Sequence, residues 1–343
     1  MRNELYLEWI NEGVLKLLNF QDNREGSRTE GCFYYPYWRL RKENYVNSRW
    51  QEAVLALSWH FNKFNNEEVW KRIIKGIDFW CRLQHKNGSF PEYSRSDRSF
   101  SAAAFSALAV IDSVILINYS KDNWLKKIHK SCSYMMKNDE EVLINQEAAA
   151  ALALLKFGNY TKNIPYLKES ERKLKIVLRN QSLKGYYLEK NGFDLGYSSL
   201  TLDLLSQYYK VTNDQRILES ASRFINLVLN LDLKNSRNIR NTDWVIVNGF
   251  EAFSDLIPNG KAALKKVLNS FNVQHLGSDK NLCTDLFRLG FAYDNYKEDL
   301  IHRDLEKNIE INKSFSARNP KKILNLVRPF GIHKLRKLKY KFM

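Results

Sequence analysis

The feature that most constrains this chain is an alternation of short and long connections between about twelve stretches whose apolar residues recur at helical spacing. Those stretches run near 3–19, 46–62, 66–84, 99–117, 122–136, 143–156, 163–178, 197–210, 214–230, 243–255, 259–271 and 280–296. Short turns follow the second, fourth, sixth, eighth and tenth of them: FNKFNNEE, INYSKDN, KFGNYTKN, YKVTNDQ and LIPNGKA. All are rich in Asn, Asp, Gly or Thr, the residues that close a helical hairpin. Longer segments, 20–45, 85–98, 137–142, 179–196 and 231–242, precede the same helices. No alternating strand pattern bounded by hairpin turns interrupts the series. The chain is therefore all-α, with one plain face and one elaborated face.

Composition separates two classes of helix. QEAVLALSWH, FSAAAFSALAV, NQEAAAALALL and YSSLTLDLLSQYY are rich in Ala, Ser and Leu, whereas WKRIIKGIDFWCRLQ, NWLKKIHKSCSYMM and YLKESERKLKIVL carry charge stripes. Small residues let helices crowd around an axis, and charge stripes suit an outer solvated ring. The expected architecture is an (α/α)6 toroid over residues 1–311, followed by a basic tail over 312–343. An open helical solenoid is the alternative, because both architectures alternate hairpins. In either case the long segments lead into the N-termini of the inner helices. Unpaired N–H groups and the positive end of the helix dipole favour anions there.

Four widely spaced cysteines, Cys32, Cys81, Cys132 and Cys283, form neither a disulfide framework nor a zinc pattern, and a cytoplasmic location is expected. The first helical stretch carries Glu4, Glu8 and Glu12 among its apolar residues, unlike a secretion signal. Of the formal charge of +16, ten Lys and Arg with no acid lie beyond Glu310. The body is then only mildly basic, which argues against nucleic acid. The tail sets Ile332, Leu335, Leu338 and Phe342 among lysines and arginines, so residues 313–343 are expected to lie on an anionic membrane surface, peripherally on its inner face.

Candidate chemistry gathers in the long segments. NGSFPEYSRSDRSF offers Glu92, Tyr93, Arg95 and Arg98 ahead of a helix that Ser99 would cap. In GFDLGYSSLTLD, Gly192 and Gly196 permit close approach and place Asp194 and Tyr197 at a helix mouth, although Asp194 equally suits a cap. RNIRNTDW repeats the theme with Arg240, Asn241 and Asp243, Thr242 as an N-cap and Trp244 as a stacking platform. Asn145 and Glu147 open the sixth helix, and Arg49 and Glu52 the second. Inverting hydrolysis needs two carboxyls about 6.5–9.5 Å apart. Glu92 and Asp194 are the first pair for it, with Asp243 in reserve. β-Elimination would instead use Asn145 and Arg240 on a uronate, with Tyr197 or Tyr93 as base. Neither chemistry calls for a metal or a cofactor, and His129 with Cys132 supplies only two of the three ligands that zinc needs.

Taken in order, CRLQHKNGSFPEY, NGFDLGYSSLTLDLL and RNTDWVIVNGFEAF resemble the (α/α)6 toroids of polysaccharide metabolism, particularly the helical domains of alginate-lyase and heparinase-type enzymes. The resemblance covers roughly residues 30–300. It implies a lyase or hydrolase cutting or modifying an acidic polysaccharide or lipid-linked glycan. The LQxxNGSF segment also resembles the glycine-aromatic turns of terpene cyclases and prenyltransferase β subunits, but the DxDD cluster of the former and the zinc pattern of the latter are absent. Isoprenoid chemistry therefore ranks third. The second reading is a non-catalytic toroid that binds a glycan or a partner and is tethered to the membrane.

Overall fold

The computed structural model describes residues 2–34, 46–190, 192–232, 239–242, 244–270 and 281–296. Twelve α-helices lie among them: α1 Arg2–Phe20, α2 Ala53–Phe64, α3 Glu67–Leu83, α4 Phe100–Ile117, α5 Asp122–Met136 and α6 Ile144–Thr161, then α7 Ile164–Arg179, α8 Leu195–Thr212, α9 Gln215–Asn230, α10 Asn248–Phe253, α11 Gly260–Ser270 and α12 Leu282–Asn295. The even helices pack each on the next, and α12 returns to α2. The ring is closed, so the solenoid alternative is excluded. α1 lies against both α12 and α2 and covers their seam.

The two compositional classes fall where crowding and solvation require. Ala102, Ala103, Ala104, Ala107 and Ala109 of α4, and Ala148 to Ala151 of α6, are all buried, because inner helices meet neighbours on every side. α4 is the one described helix long and apolar enough to cross a membrane, and 83% of it is buried within the ring. Outer helices bury a single stripe, such as Ile217, Ala221, Phe224 and Val228 of α9.

Two departures from the sequence expectation concern inner helices. The second begins as a 3-10 turn, Ser48–Glu52, before α2 proper. The tenth is cut to six residues, because 244–247 form no regular helix and the cap position falls at Val247 rather than Thr242.

The plain-face turns share one device. Asn65, Asn118, Lys162 and Asn213 end α2, α4, α6 and α8 in the left-handed conformation. In three of the four turns the next residue caps the outer helix: Asn66 accepts from Val69 N, Asn163 from Tyr166 N and Asp214 from Arg216 N.

The opposite face carries a different repeat. Gln84 Nε2 donates to the Lys127 carbonyl on α5 (2.7 Å), and Gly88, at φ +95°, lies so near the Lys130 carbonyl that a Cβ would meet its oxygen at 2.1 Å. Gln181 and Gly185 do the same on α9 at Ser220 and Arg223, and Gln21 and Gly31 on α3 at Arg72 and Lys75. Two residues after each glycine comes a buried ring: Phe90, Tyr187 or Phe33. The glycine-aromatic turn is thus a staple by which a long loop grips the carbonyls of an outer helix.

Candidate functional site

All the long loops described enter inner helices at the elaborated face, here called the mouth. The candidate-bearing segments 85–98, 190–198 and 237–244 have their described residues at those helix entrances. They form two neighbourhoods rather than one.

The first is built around Arg49. Its guanidinium bonds Glu52, donates to Ser101 Oγ (2.9 Å) and stacks over the Phe105 ring at 4.1 Å. Glu92 and Asp285 both lie within its electrostatic reach. Glu92 accepts the Ser99 hydroxyl and is buried, while the same Ser99 caps α4 by accepting from Ala102 N. Asp285, in the first turn of α12, accepts Trp244 Nε1 at 2.7 Å. Burial pushes the Asp285 carboxyl up to about 7; the indole N–H opposes this, and the nearby Glu52 adds to it. Burial likewise raises Glu52, against the pull of Arg49. One turn deeper, Arg288 pairs with Asp203 of α8, whose other oxygen accepts the Asn248 amide. Burial pulls the Arg288 guanidinium down to about 9. Its Nε stands 3.5 Å from Asp285 Oδ1 without making a hydrogen bond.

The second neighbourhood is built around Asp194. Its Oδ1 caps α8 by accepting from Tyr197 N (3.0 Å), and its Oδ2 accepts from Arg240 (2.8 Å) and Asn241 (2.7 Å). Asp194 is wholly buried and committed to holding the 240s segment on α8. Gly196 serves the same contact, since a Cβ there would meet the Trp244 carbonyl at 2.5 Å. Beside it, Asn145 Nδ2 donates to Glu189 Oε1 (2.8 Å), while Glu189 Oε2 is buried and meets no donor. Burial pushes Glu189 up to about 7, and the Asn145 amide only partly offsets it. Tyr197 meets Trp244 edge-on at 5.4 Å, and Trp244 bonds Asp285, so an aromatic pair joins the two neighbourhoods.

The remaining candidates divide by exposure. Arg95, Arg98 and Tyr93 face solvent on a loop whose shape comes from Asp97, which accepts from Glu92 N and Tyr93 N. Glu147 is buried against Lys173 Nζ (2.9 Å), which also reaches Asp139 (2.8 Å) and the Asn138 carbonyl (2.9 Å) from the outer helix α7. Burial raises its carboxyl while Lys173 holds it down. His129 bonds the Tyr166 hydroxyl and packs on Phe157. Among the described residues no group of three His, Cys, Asp or Glu is placed to hold a metal. Asp243, Arg237, His275 and the tail lie outside the described residues.

Asp285, Arg288, Asp203, Glu189 and Lys173 were missed by the sequence reading. Asp203 did leave a signal: a lone acid inside the apolar run LTLDLL must find a partner once buried.

No family model and no curated protein matches the chain. Among solved structures it resembles the GH76A α-1,6-mannanase of a Salegentibacter species at 10% identity and a TM-score of 0.60, covering 86% of this chain and 99% of that one. An inactive variant of that mannanase, in complex with α-1,6-mannotriose, matches equally well. A glycosyl hydrolase family 88 protein of Bacteroides vulgatus follows at 12% identity and a TM-score of 0.55, covering 83% of this chain and 98% of that one. A polysaccharide lyase stands at 13% and 0.56, covering 85% and 99%. Helical toroids of carbohydrate-active enzymes are thus what this chain resembles, in line with the resemblance its motifs carry, and the likeness is one of fold.

Proposed function

We propose that the chain is a glycan-acting enzyme that cuts or modifies an acidic polysaccharide at the mouth of the toroid. The observation that carries this reading is the set of three buried carboxyls, Glu52, Glu92 and Asp285, gathered around one guanidinium where the inner helices begin. A carboxyl pushed up to about 7 holds a proton at neutral pH and can give it to a leaving oxygen, which makes Asp285 the general acid. Glu92, steadied by Ser99, is the partner that activates water. This replaces Asp194 in the pair, since both Asp194 oxygens serve the fold. Arg95, Arg98 and the half-exposed Arg240 suit glycan carboxylates, and the Tyr197–Trp244 pair suits a sugar face.

Incubation with acidic and neutral glycans, scored for new reducing ends and for the ultraviolet absorbance of an unsaturated sugar end, separates hydrolysis from elimination. Asp285→Asn and Glu92→Gln should each cut kcat by about a hundredfold or more with glycan binding retained. Full turnover by both variants would sink the assignment.

A second reading, a non-catalytic glycan-binding toroid, draws on the commitment of Asp194, Glu147 and Asp203 to structural partners. Glycan binding by the unaltered protein without any turnover would favour it. In either case we place the chain on the cytoplasmic side of a membrane. Its four cysteines are free and buried, and its basic tail suits an anionic leaflet.

A further inference from the structure

Large apolar side chains are exposed at both ends of the ring; at the mouth they are Tyr93, Val142, Leu183 and Leu188 on the long loops, and the plain face has a set of its own. Large apolar side chains stand exposed on its turns: Phe64 at the end of α2, Ile115 and Tyr119 around the end of α4, Tyr160 on the last turn of α6 and Ile164 opening α7. Side-chain bonds bridge these turns. Asn62 of α2 donates to the Leu116 carbonyl of α4, and the Tyr160 hydroxyl reaches Ser120 Oγ at 3.4 Å. The five residues therefore form one arc over the first three hairpins; Tyr119 also packs edge-on against the buried Trp124 and Tyr160 lies over Phe157, while all five remain exposed.

The path of the chain points to what covers the arc. α12 runs from the mouth to the plain face and ends beside the start of the arc: Asp294 pairs with Lys63 at 2.8 Å, and Phe64 is the next residue. The 47 residues beyond Tyr296 thus depart from the same face, and from 311 onward they hold ten Lys and Arg and no acid. Residues 297–310 hold five acids to three Lys and Arg, and the chain beyond them is strongly basic. Exposed apolar and Tyr side chains on the face from which such a tail departs match a bilayer surface with anionic headgroups.

We propose that the plain face is a docking surface for an anionic lipid bilayer, with the Phe64–Ile164 arc entering the interfacial layer and the mouth turned away from it. The inference rests on the tail being lipid-binding and adds a second contact and an orientation. A tail alone would leave the toroid tumbling on a tether. The arc fixes it, so the mouth receives substrate from the aqueous side.

The test uses the full chain with vesicles of phosphatidylcholine, with and without phosphatidylglycerol. Because the native cysteines are buried, an environment-sensitive fluorophore can be attached selectively to Ile164→Cys on the plain face or to Leu183→Cys on an exposed mouth loop. On anionic vesicles the probe at 164 should brighten and shift to the blue, and the probe at 183 should not change. Ile115→Asp with Ile164→Asp should weaken vesicle binding about tenfold while leaving glycan binding intact. Binding to anionic vesicles with neither probe responding, or with the double variant unaffected, would overturn the docking face and leave the tail reading standing. Absence of vesicle binding would overturn both. A probe at 164 already blue-shifted without vesicles, in monomer or dimer, would assign the arc to the chain's own C-terminal segment or to a second copy, and would equally overturn the proposal.

Discussion

The two ends of the inner ring solve opposite problems with the same helices. At the mouth the helices begin, their loops are long, and carboxyls and cations are buried together: Arg49 with Glu52, Arg288 with Asp203, Lys173 with Glu147. At the plain end the helices stop on left-handed caps and the turns are short. Burying a charge costs several kcal/mol before its partner offsets it, whereas an asparagine cap costs little. The mouth is therefore where buried charge works against stability, and the plain end holds the ring's geometry.

The largest expected effect falls on the mouth. Arg288→Met would leave Asp203 buried without its cation, and urea denaturation should show a loss of about 3–5 kcal/mol. A loss under about 1 kcal/mol would mean that water reaches the pair and that the mouth is not a dry site.

Next comes the pH dependence of stability. Asp285 titrates near 7 in the folded chain and near 4 when unfolded, so the folded state holds an extra proton between those values. Stability should therefore fall as pH rises through that window, by on the order of 2–4 kcal/mol, with the loss complete above 7. Asp285→Asn should flatten this portion of the curve. An unchanged slope in the variant would assign the dependence to Glu189, which titrates in the same window.

A smaller loss tests the loop staple. Gly88→Ala sets a Cβ against the Lys130 carbonyl at positive φ, and a cost of about 2 kcal/mol is expected. Hydrogen exchange should locate the loosening at α5 and the 85–98 loop, with the plain end unaffected. Smallest is a gain at the plain end. Lys162 is the one left-handed cap of α2, α4, α6 and α8 that is not Asn, and Lys162→Asn or Lys162→Gly should stabilise by about 0.5–1 kcal/mol.

The fold was legible in the sequence and the site only partly so, for physical reasons. Helix count, ring order and the identity of the mouth follow from local signals, namely apolar period, small-residue content and connection length. The non-helical course of 244–247 escaped, since VIVNGF carries an apolar run whose helical state is decided by packing on α8, where Ile246 N meets Ser199 Oγ. Ser99 reads correctly as a cap because capping is local, whereas Asp194, taken first as a catalytic carboxyl, takes the cap that was its alternative. Asp285 and Arg288, in contrast, carry no local mark that separates them from any first-turn acid and i,i+3 partner on a helix. Only the return of α12 to α2 sets them opposite Arg49 and Glu52, and closure leaves no mark in a local window. Lys173 was hidden among the charges of its striped helix, and nothing in YLKESERKLKIVL separates the one lysine that points inward from its exposed neighbours.

The seam has a consequence for how such a chain comes into being. α1 buries Tyr6, Ile10, Val14 and Leu17, and Gly13 lets its backbone approach Leu282 and Leu286 of α12. During synthesis α1 and the open flank of α2 emerge from the ribosome long before α12 exists to cover them. Until then each of the two elements holds out an apolar stripe. Contacts between such distant stretches of chain form late and slowly. A nascent ring is thus an incomplete circle with two apolar ends, and it closes only when α12 meets α1 and α2.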